Sequence, residues 1–199
     1  PHLKQRRGAA YEEFRDSLAP GTEVLIRSEW EERRIGDLEL IAANLRQHDK
    51  SRAILDRGDW HQRLVWRDGE TGLDCKAELD LVCQFGEWVL VSDLKTAADT
   101  SVEAFAKSAV NFGYDIQAYW YTWGYQEVFG VTPRFVFVVV RNKMPFDVEC
   151  YTLDADFMAR GASRAADLLR ELKYRIQQNW WQTATWGMIA TLSAPRWAL

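Results

Sequence analysis

The 199-residue sequence has few cysteines and no long apolar run, and each absence narrows the class of protein. Its three cysteines, Cys75, Cys83 and Cys150, form an odd number without C-x-x-C spacing, which argues against a disulfide framework and a zinc or iron–sulfur site. No stretch reaches the roughly 18 apolar residues of a membrane helix. The charged opening residues lack the apolar core of a secretory signal. We therefore expect a cytoplasmic protein without a membrane partner.

An excess of positive charge is also missing, because the sequence has 25 lysines and arginines and 29 aspartates and glutamates, which gives a net charge of −4. Nucleic-acid-binding proteins usually carry a basic surface, so the net charge does not predict one. A concave site can still be locally basic, and catalytic carboxylates add negative charge until a metal neutralises them. The apolar fraction of 47% predicts a packed globular protein, and we expect a single domain over residues 1–199.

Hydrophobic periodicity predicts an α/β protein, beginning with an amphipathic helix after Ser28, a candidate N-cap. Its apolar residues at helical spacing are Ile35, Leu38, Ile41, Ala42 and Leu45. Three antiparallel strands are predicted next, joined by turns at residues 68–72 and at Gly86. The first half of the chain therefore predicts one helix and a three-stranded meander.

The second half predicts a long helix from Val102 to Phe129, with Gly130 as its stop. Two further strands are predicted in RFVFVVVR and DVECYTL. A final helix runs from Asp154, a candidate N-cap, to about Gln178. No repeat or strong linker divides the chain.

The meander contains acids at the ends of apolar strands, where a buried carboxylate needs a partner or a metal. Side chains alternate along a strand, so Glu78 and Asp80 share one face, and Asp93 and Lys95 share a face on the next strand. If the turn at Gly86 makes these strands neighbours, Asp80 and Asp93 lie close enough to bind one divalent cation. Hard cations such as Mg²⁺ prefer a few carboxylates and retain several waters.

The acid-x-Lys pattern alone decides nothing, because it occurs at residues 74–76, 93–95 and 171–173. Only Asp93-Leu94-Lys95 ends an apolar strand with a second acid, Asp80, at the end of the strand before. A surface hairpin with an ordinary exposed ion pair is an equally open interpretation.

The following helix adds a second group of candidates, because Tyr114, Gln117, Tyr121 and Tyr125 fall on one helical face. An aromatic stripe is more often core than site. Gln117 is harder to explain as core, since a buried amide needs hydrogen-bond partners.

From about Ser28 to Leu199, the sequence resembles the exodeoxyribonuclease VIII type of recombination nuclease, within the PD-(D/E)XK superfamily that includes phage lambda exonuclease. The matching pieces are TGLDCKAELD, VSDLKT, GYDIQAYWY, VTPRFVFVVV and APRWA, in that order. The resemblance implies a central mixed β-sheet flanked by helices. It also implies Mg²⁺ or Mn²⁺ held by Asp80, Asp93 and the carbonyl of Leu94, with Lys95 at the attacking water.

Gln117 and Tyr121 match the family's Gln and Tyr, which the resemblance places beside the lysine and the substrate phosphate. Relatives also carry an upstream helix with a metal-binding His, and we expect this chain to begin after it. Where relatives often have a Glu, this sequence has His61 or Gln62. His61 is either a substitute ligand or a surface residue, and the same alternatives apply to Glu78.

The resemblance implies a metal-dependent exonuclease that degrades linear double-stranded DNA from the 5′ end. It further implies 3′ single strands for an annealing recombination protein, and a homo-oligomeric ring around the DNA. Arginines that could line the DNA path are Arg33, Arg34, Arg63 and Arg141. The alternatives are an endonuclease, a Cas4-like single-strand exonuclease, and a non-catalytic DNA-binding or assembly subunit with the same fold. Missing clustered cysteines argue against an iron–sulfur Cas4-like protein.

Overall fold

In the computed structural model, one five-stranded sheet of mixed direction carries helices on both faces. The structure describes residues 9–20, 22, 31, 35–183, 186–189, 191 and 193–194. The helices of this part are α1 (Ala9–Asp16), α2 (Ile35–Gln47), α3 (Asp49–Leu55), α4 (Val102–Phe112), α5 (Tyr114–Phe129) and α6 (Ala155–Gln178). Its strands are β1 (Gly58–Arg67), β2 (Asp74–Phe85), β3 (Trp88–Ala97), β4 (Arg134–Arg141) and β5 (Val148–Tyr151).

The sheet order is β1-β2-β3-β4-β5, and the predicted antiparallel meander of β1, β2 and β3 is confirmed. β3 and β4 are parallel, and β5 returns antiparallel to β4. A parallel pair needs a long crossover, which α4 and α5 provide. The predicted class, an α/β fold with a central mixed sheet flanked by helices, is confirmed.

Strand β2 leaves the main sheet at Asp80. It pairs with β3 only from Leu81 to Phe85, whereas its pairing with β1 continues to Asp74. The outer parts of β1 and β2 therefore form a two-stranded arm. The Trp66 ring of this arm packs on α5, with its centroid 5.1 Å from that of Trp120. Asp80 consequently lies where the sheet divides.

Two apolar cores cover the two faces of the sheet. On one face α4, α5 and α6 contribute Phe105, Ala118 and Leu169, and on the other α2 and α3 contribute Leu45 and Ile54. Because β4 supplies side chains to both cores, its sequence reads as a continuous apolar run. The neighbouring strand β3, which carries Asp93 and Lys95, pairs with β4 from Leu90 to Ala97.

The single long helix predicted from Val102 to Phe129 is wrong. The chain forms two helices, α4 and α5, which meet at Gly113 in the left-handed conformation (φ 70°, ψ 32°). Glycine adopts this conformation without the steric cost that a Cβ imposes, so the chain can turn and start a new helix. The predicted stop at Gly130 is confirmed.

The helix after Ser28 is confirmed as α2, whereas Ser28 itself lies outside the described residues. Leu38, expected on its buried face, is 57% exposed. Helix α6 begins where predicted, because the Asp154 carboxylate accepts the Phe157 N–H at 2.8 Å. Among the helices of the described ranges, none is both long and apolar enough to cross a membrane.

Candidate active site

Asp80 is attached to the neighbouring strand by its side chain. Its Oδ2 accepts the backbone N–H of Leu94 at 3.1 Å. Backbone pairing between β2 and β3 stops at the pair Leu81 and Ser92. Beyond that pair, the Asp80 carboxylate takes the place of a backbone acceptor. This bond holds Asp80 against the segment of β3 that carries Asp93.

Asp93 lies at the centre of the site and is only 1% exposed. Its Oδ1 accepts a hydrogen bond from Gln117 Nε2 at 2.8 Å. Its Oδ2 lies 2.5 Å from Lys95 Nζ in an ion pair, without a hydrogen bond of ordinary geometry. With the Lys95 side chain 17% exposed, the interpretation of an ordinary exposed ion pair is wrong.

The environment of Asp93 works against its ionised form. Burial raises the pKa of Asp93 to about 6, and the negative charge of Asp80 adds to the increase. Lys95 and the Gln117 amide act in the opposite direction. A cation bound beside this buried carboxylate would stabilise its ionised form.

Helix α5 supplies three side chains to the site. Gln117 Nε2 donates both to Asp93 and to the Tyr121 hydroxyl, the latter at 3.0 Å. Burial, followed by the charges of nearby acids, raises the pKa of Tyr121, so its hydroxyl keeps its proton at neutral pH. The Tyr114 ring faces Lys95 Nζ at 4.7 Å, a contact that the sequence indicated only through the shared helical face. Tyr125 instead packs against its neighbouring Phe129.

The other candidate ligands contact one another. His61 Nδ1 lies 3.4 Å from Glu78 Oε1, and Arg63 Nε donates to Glu78 Oε2 at 3.0 Å. The predicted position Gln62 has a buried Oε1 without a partner. Within the described residues, no three His, Cys, Asp or Glu side chains gather closely enough to form a metal cluster. Glu78 and His61 are therefore not gathered with Asp80 and Asp93.

Two of the four arginines suggested for the DNA path are described. The Arg63 side chain is 81% exposed on the arm. Arg141 pairs with Asp147 at 3.6 Å and stands opposite Ala97, two residues beyond Lys95 on β3. Arg33 and Arg34 lie outside the described residues.

The donor set at Asp80 and Asp93 fits a hard divalent cation. The two carboxylates are held at adjoining strands, and buried Asp93 Oδ2 has the Lys95 ammonium as its charged partner. The carbonyl of Leu94 between Asp93 and Lys95 is a third oxygen donor of the kind that Mg²⁺ and Mn²⁺ bind. A site with few protein oxygens suits an ion that keeps several of its waters.

Burial favours the thiol over the thiolate at all three cysteines. All three cysteines are free, and burial raises the pKa of each, that of Cys83 to about 11. Since the thiolate is the reactive form, burial holds these cysteines in their less reactive thiol form.

The chain belongs to the family described as "PDDEXK-like domain of unknown function (DUF3799)", whose model matches residues 29–185. This match confirms the PD-(D/E)XK nuclease superfamily that the resemblance indicated. The match covers the superfamily and does not extend to the narrower likeness to exodeoxyribonuclease VIII. No curated protein matches the chain.

The fold is similar to that of a Eubacterium rectale protein whose crystal structure is described as a "putative exonuclease". The TM-score is 0.58 at 11% identity, over 86% of this chain and 61% of that chain. At this identity the likeness shows the fold alone. The structure of SSO0001 gives a TM-score of 0.37 at 15% identity, over 68% of this chain and 58% of that chain, and carries no argument. This chain thus spans about three fifths of both structures.

Proposed function

We propose that this chain is a metal-dependent exonuclease that hydrolyses phosphodiester bonds of linear double-stranded DNA. The observation that carries the proposal is the position of buried Asp93, in contact with Lys95 and Gln117 and within the electrostatic reach of Asp80. Acids at adjoining strands followed by a lysine are the groups that metal-assisted hydrolysis requires. The nuclease fold of the family supports the same reaction class.

Asp80, Asp93 and the Leu94 carbonyl would hold Mg²⁺ or Mn²⁺. When bound, the ion stabilises charge on the phosphate and lowers the pKa of a water molecule. Lys95 Nζ donates hydrogen bonds to the attacking water and to the phosphate oxygens, where it offsets the developing negative charge. The Lys95 side chain is 17% exposed and thus retains some contact with solvent.

Gln117 and Tyr121 would orient the groups around the reacting phosphate. The Gln117 amide restrains Asp93 Oδ1, which leaves Oδ2 for positively charged partners. The Tyr121 hydroxyl accepts from Gln117, so its own proton is available to a phosphate oxygen. The raised pKa of Tyr121, due first to burial, keeps this donor protonated.

The substrate and partners follow from the resemblance to exodeoxyribonuclease VIII. We propose digestion from the 5′ end, 3′ single strands for an annealing recombination protein, and a homo-oligomeric ring that encloses the duplex. Arg63, exposed on the arm, and Arg141, opposite Ala97 of β3, are candidates for contacts with DNA phosphates.

A non-catalytic DNA-binding or assembly subunit is the second candidate. It is favoured by the absence of a third acidic or His ligand beside Asp80 and Asp93 in the part of the chain that the structure describes. Such a subunit would bind DNA and leave it intact, whether or not a divalent metal is present.

Linear duplex labelled at either the 5′ or the 3′ end tests the proposal, with Mg²⁺, Mn²⁺ or a chelator. The wild type should release label only with metal, and Asp80→Asn and Asp93→Asn should each lower the rate about a hundredfold or more. Asp74→Asn is the matched control, because Asp74 belongs to another acid-x-Lys pattern and its side chain is 79% exposed. Early release of the 5′ label indicates the proposed polarity. Near-wild-type rates in Asp93→Asn would contradict the assignment, and metal-independent binding without cleavage would favour the second candidate.

A further inference from the structure

We propose that Tyr114 is a positioning residue whose ring face holds the ammonium group of Lys95, an inference that rests on the proposed function. Lys95 Nζ lies 4.7 Å from the centroid of the Tyr114 ring. A cation within about 6 Å of a ring face is attracted by the negative charge of that face. The attraction increases as water is removed, and the Lys95 side chain is only 17% exposed.

The Tyr114 ring is itself fixed by other rings. Its centroid lies 6.0 Å from that of Phe105, 5.6 Å from that of Phe137 and 5.7 Å from that of Phe112. Phe105 and Phe137 are 4% and 1% exposed, so they restrict the movement of Tyr114. The surface offered to Lys95 is therefore in place before any substrate arrives.

The backbone that carries Tyr114 is also anchored. The left-handed residue Gly113 starts α5 immediately before Tyr114, and Asp115 follows with a fully buried carboxylate. Asp115 forms ion pairs with two arginines of α6, Arg160 and, at 3.6 Å, Arg164. A buried acid that lost these partners would be strongly destabilising, so the pairs hold the first turn of α5 against α6.

A glycine on α6 allows the two helices to approach this closely. A Cβ at Gly161 would lie 2.1 Å from the carbonyl oxygen of Asp115, so only glycine fits without displacing α5. The helix break, the buried acid and the close helix contact therefore all fix the same turn. Tyr114 is the residue of that turn whose ring faces Lys95.

The ring face gives Lys95 a partner that does not depend on Asp93. The Asp93 carboxylate is shared between Lys95, Gln117 and the proposed cation. The uncharged Tyr114 ring attracts the ammonium without forming a second salt bridge. Lys95 thus keeps its direction toward the substrate when Asp93 is engaged elsewhere.

Steady-state kinetics separate this role from ordinary core packing. Tyr114→Leu should lower kcat roughly three- to thirtyfold with little change in KM, whereas Tyr114→Phe, which keeps the ring face, should retain kcat. Tyr125→Leu is the matched control, since Tyr125 is a half-buried tyrosine of the same helix and core whose ring packs on Phe129. Equal losses of kcat in Tyr114→Leu and Tyr125→Leu would show a structural role and overturn the proposal.

A second series covers the case in which Tyr114→Leu does not fold. Phenylalanines with increasing fluorine content at position 114 keep the shape of the ring but weaken the negative charge of its face. The proposal predicts that kcat falls as fluorines are added. An unchanged kcat across the series would overturn it.

A spectroscopic measurement tests the contact without any cleavage. In protein labelled with ¹³C-lysine, the Lys95 side-chain signal, assigned with Lys95→Arg, should be displaced upfield by the Tyr114 ring current. The displacement should persist in Tyr114→Phe and disappear in Tyr114→Leu. A wild-type signal without displacement overturns the inference even if the enzyme cleaves DNA. A displaced signal in a protein that cleaves nothing would support the contact while refuting the proposed function.

Discussion

Replacement of Asp93 by Asn should stabilise the metal-free protein at neutral pH. Burial raises the pKa of Asp93 from 3.8 to about 6, so between these values the folded state binds more protons than the unfolded state. The contribution of Asp93 to the free energy of unfolding is therefore highest below pH 3.8 and falls as the pH rises through about 6. A rise in the pKa from 3.8 to about 6 corresponds to about 3 kcal/mol of destabilisation above that window, which Asn removes.

Thermal and urea unfolding in a chelator, from about pH 4 to pH 8, measure this effect. At the upper end Asp93→Asn should exceed the wild type by up to about 3 kcal/mol, or roughly 6–12 °C in Tm. The difference should shrink toward pH 4 as Asp93 in the folded wild type is protonated. Added Mn²⁺ should stabilise the wild type but not the variant. A variant that is less stable than the wild type at high pH in the chelator would refute the reasoning.

Two further substitutions test the site, and a third tests the contact between α5 and α6. Lys95→Ala should abolish cleavage yet retain Mn²⁺ binding in a calorimetric titration, and loss of binding would place the lysine's role at the metal. Tyr121→Phe should lower turnover with a change in unfolding free energy of about 1 kcal/mol or less. Unchanged kinetics would show that the hydroxyl has no role in turnover. Gly161→Ala should destabilise the protein by about 1–3 kcal/mol in urea, because its Cβ would meet the Asp115 carbonyl. A fully stable Gly161→Ala would contradict the close helix contact.

The strands and the last helix were predictable because their signals are local. The turn at Gly86, the alternation around it and the apolar run of β4 each lie within a few residues. The N-cap Asp154 likewise acts on a backbone N–H three residues away. Periodicity and turn chemistry are sufficient for such elements.

The break at Gly113 was missed because the apolar pattern continues through it. An isolated glycine within a helical pattern is often tolerated, and the sequence does not show whether the φ angle of that glycine is positive. The buried Asp115 was also missed, since its partners Arg160 and Arg164 lie some 45 residues further along the chain. Only the packing of α6 on α5 brings these charges together.

The site was predictable in its residues but not in its contacts. Strand alternation and the resemblance indicated Asp80, Asp93 and Lys95, and helical spacing indicated Gln117. The hydrogen bond from Leu94 N–H to Asp80 depends on the division of the sheet, which strand periodicity does not reveal. The roles of these residues in catalysis stay predictions.

A gel time course on closed-circular and linearised forms of one plasmid tests most directly whether the chain is a metal-dependent exonuclease. With Mn²⁺ present, the wild type should degrade the linear form and leave the closed circle intact, and a chelator or Asp93→Asn should prevent digestion. Internal cuts in the closed circle would identify an endonuclease instead. Failure to cut either form with Mn²⁺ present would contradict the proposed nuclease activity.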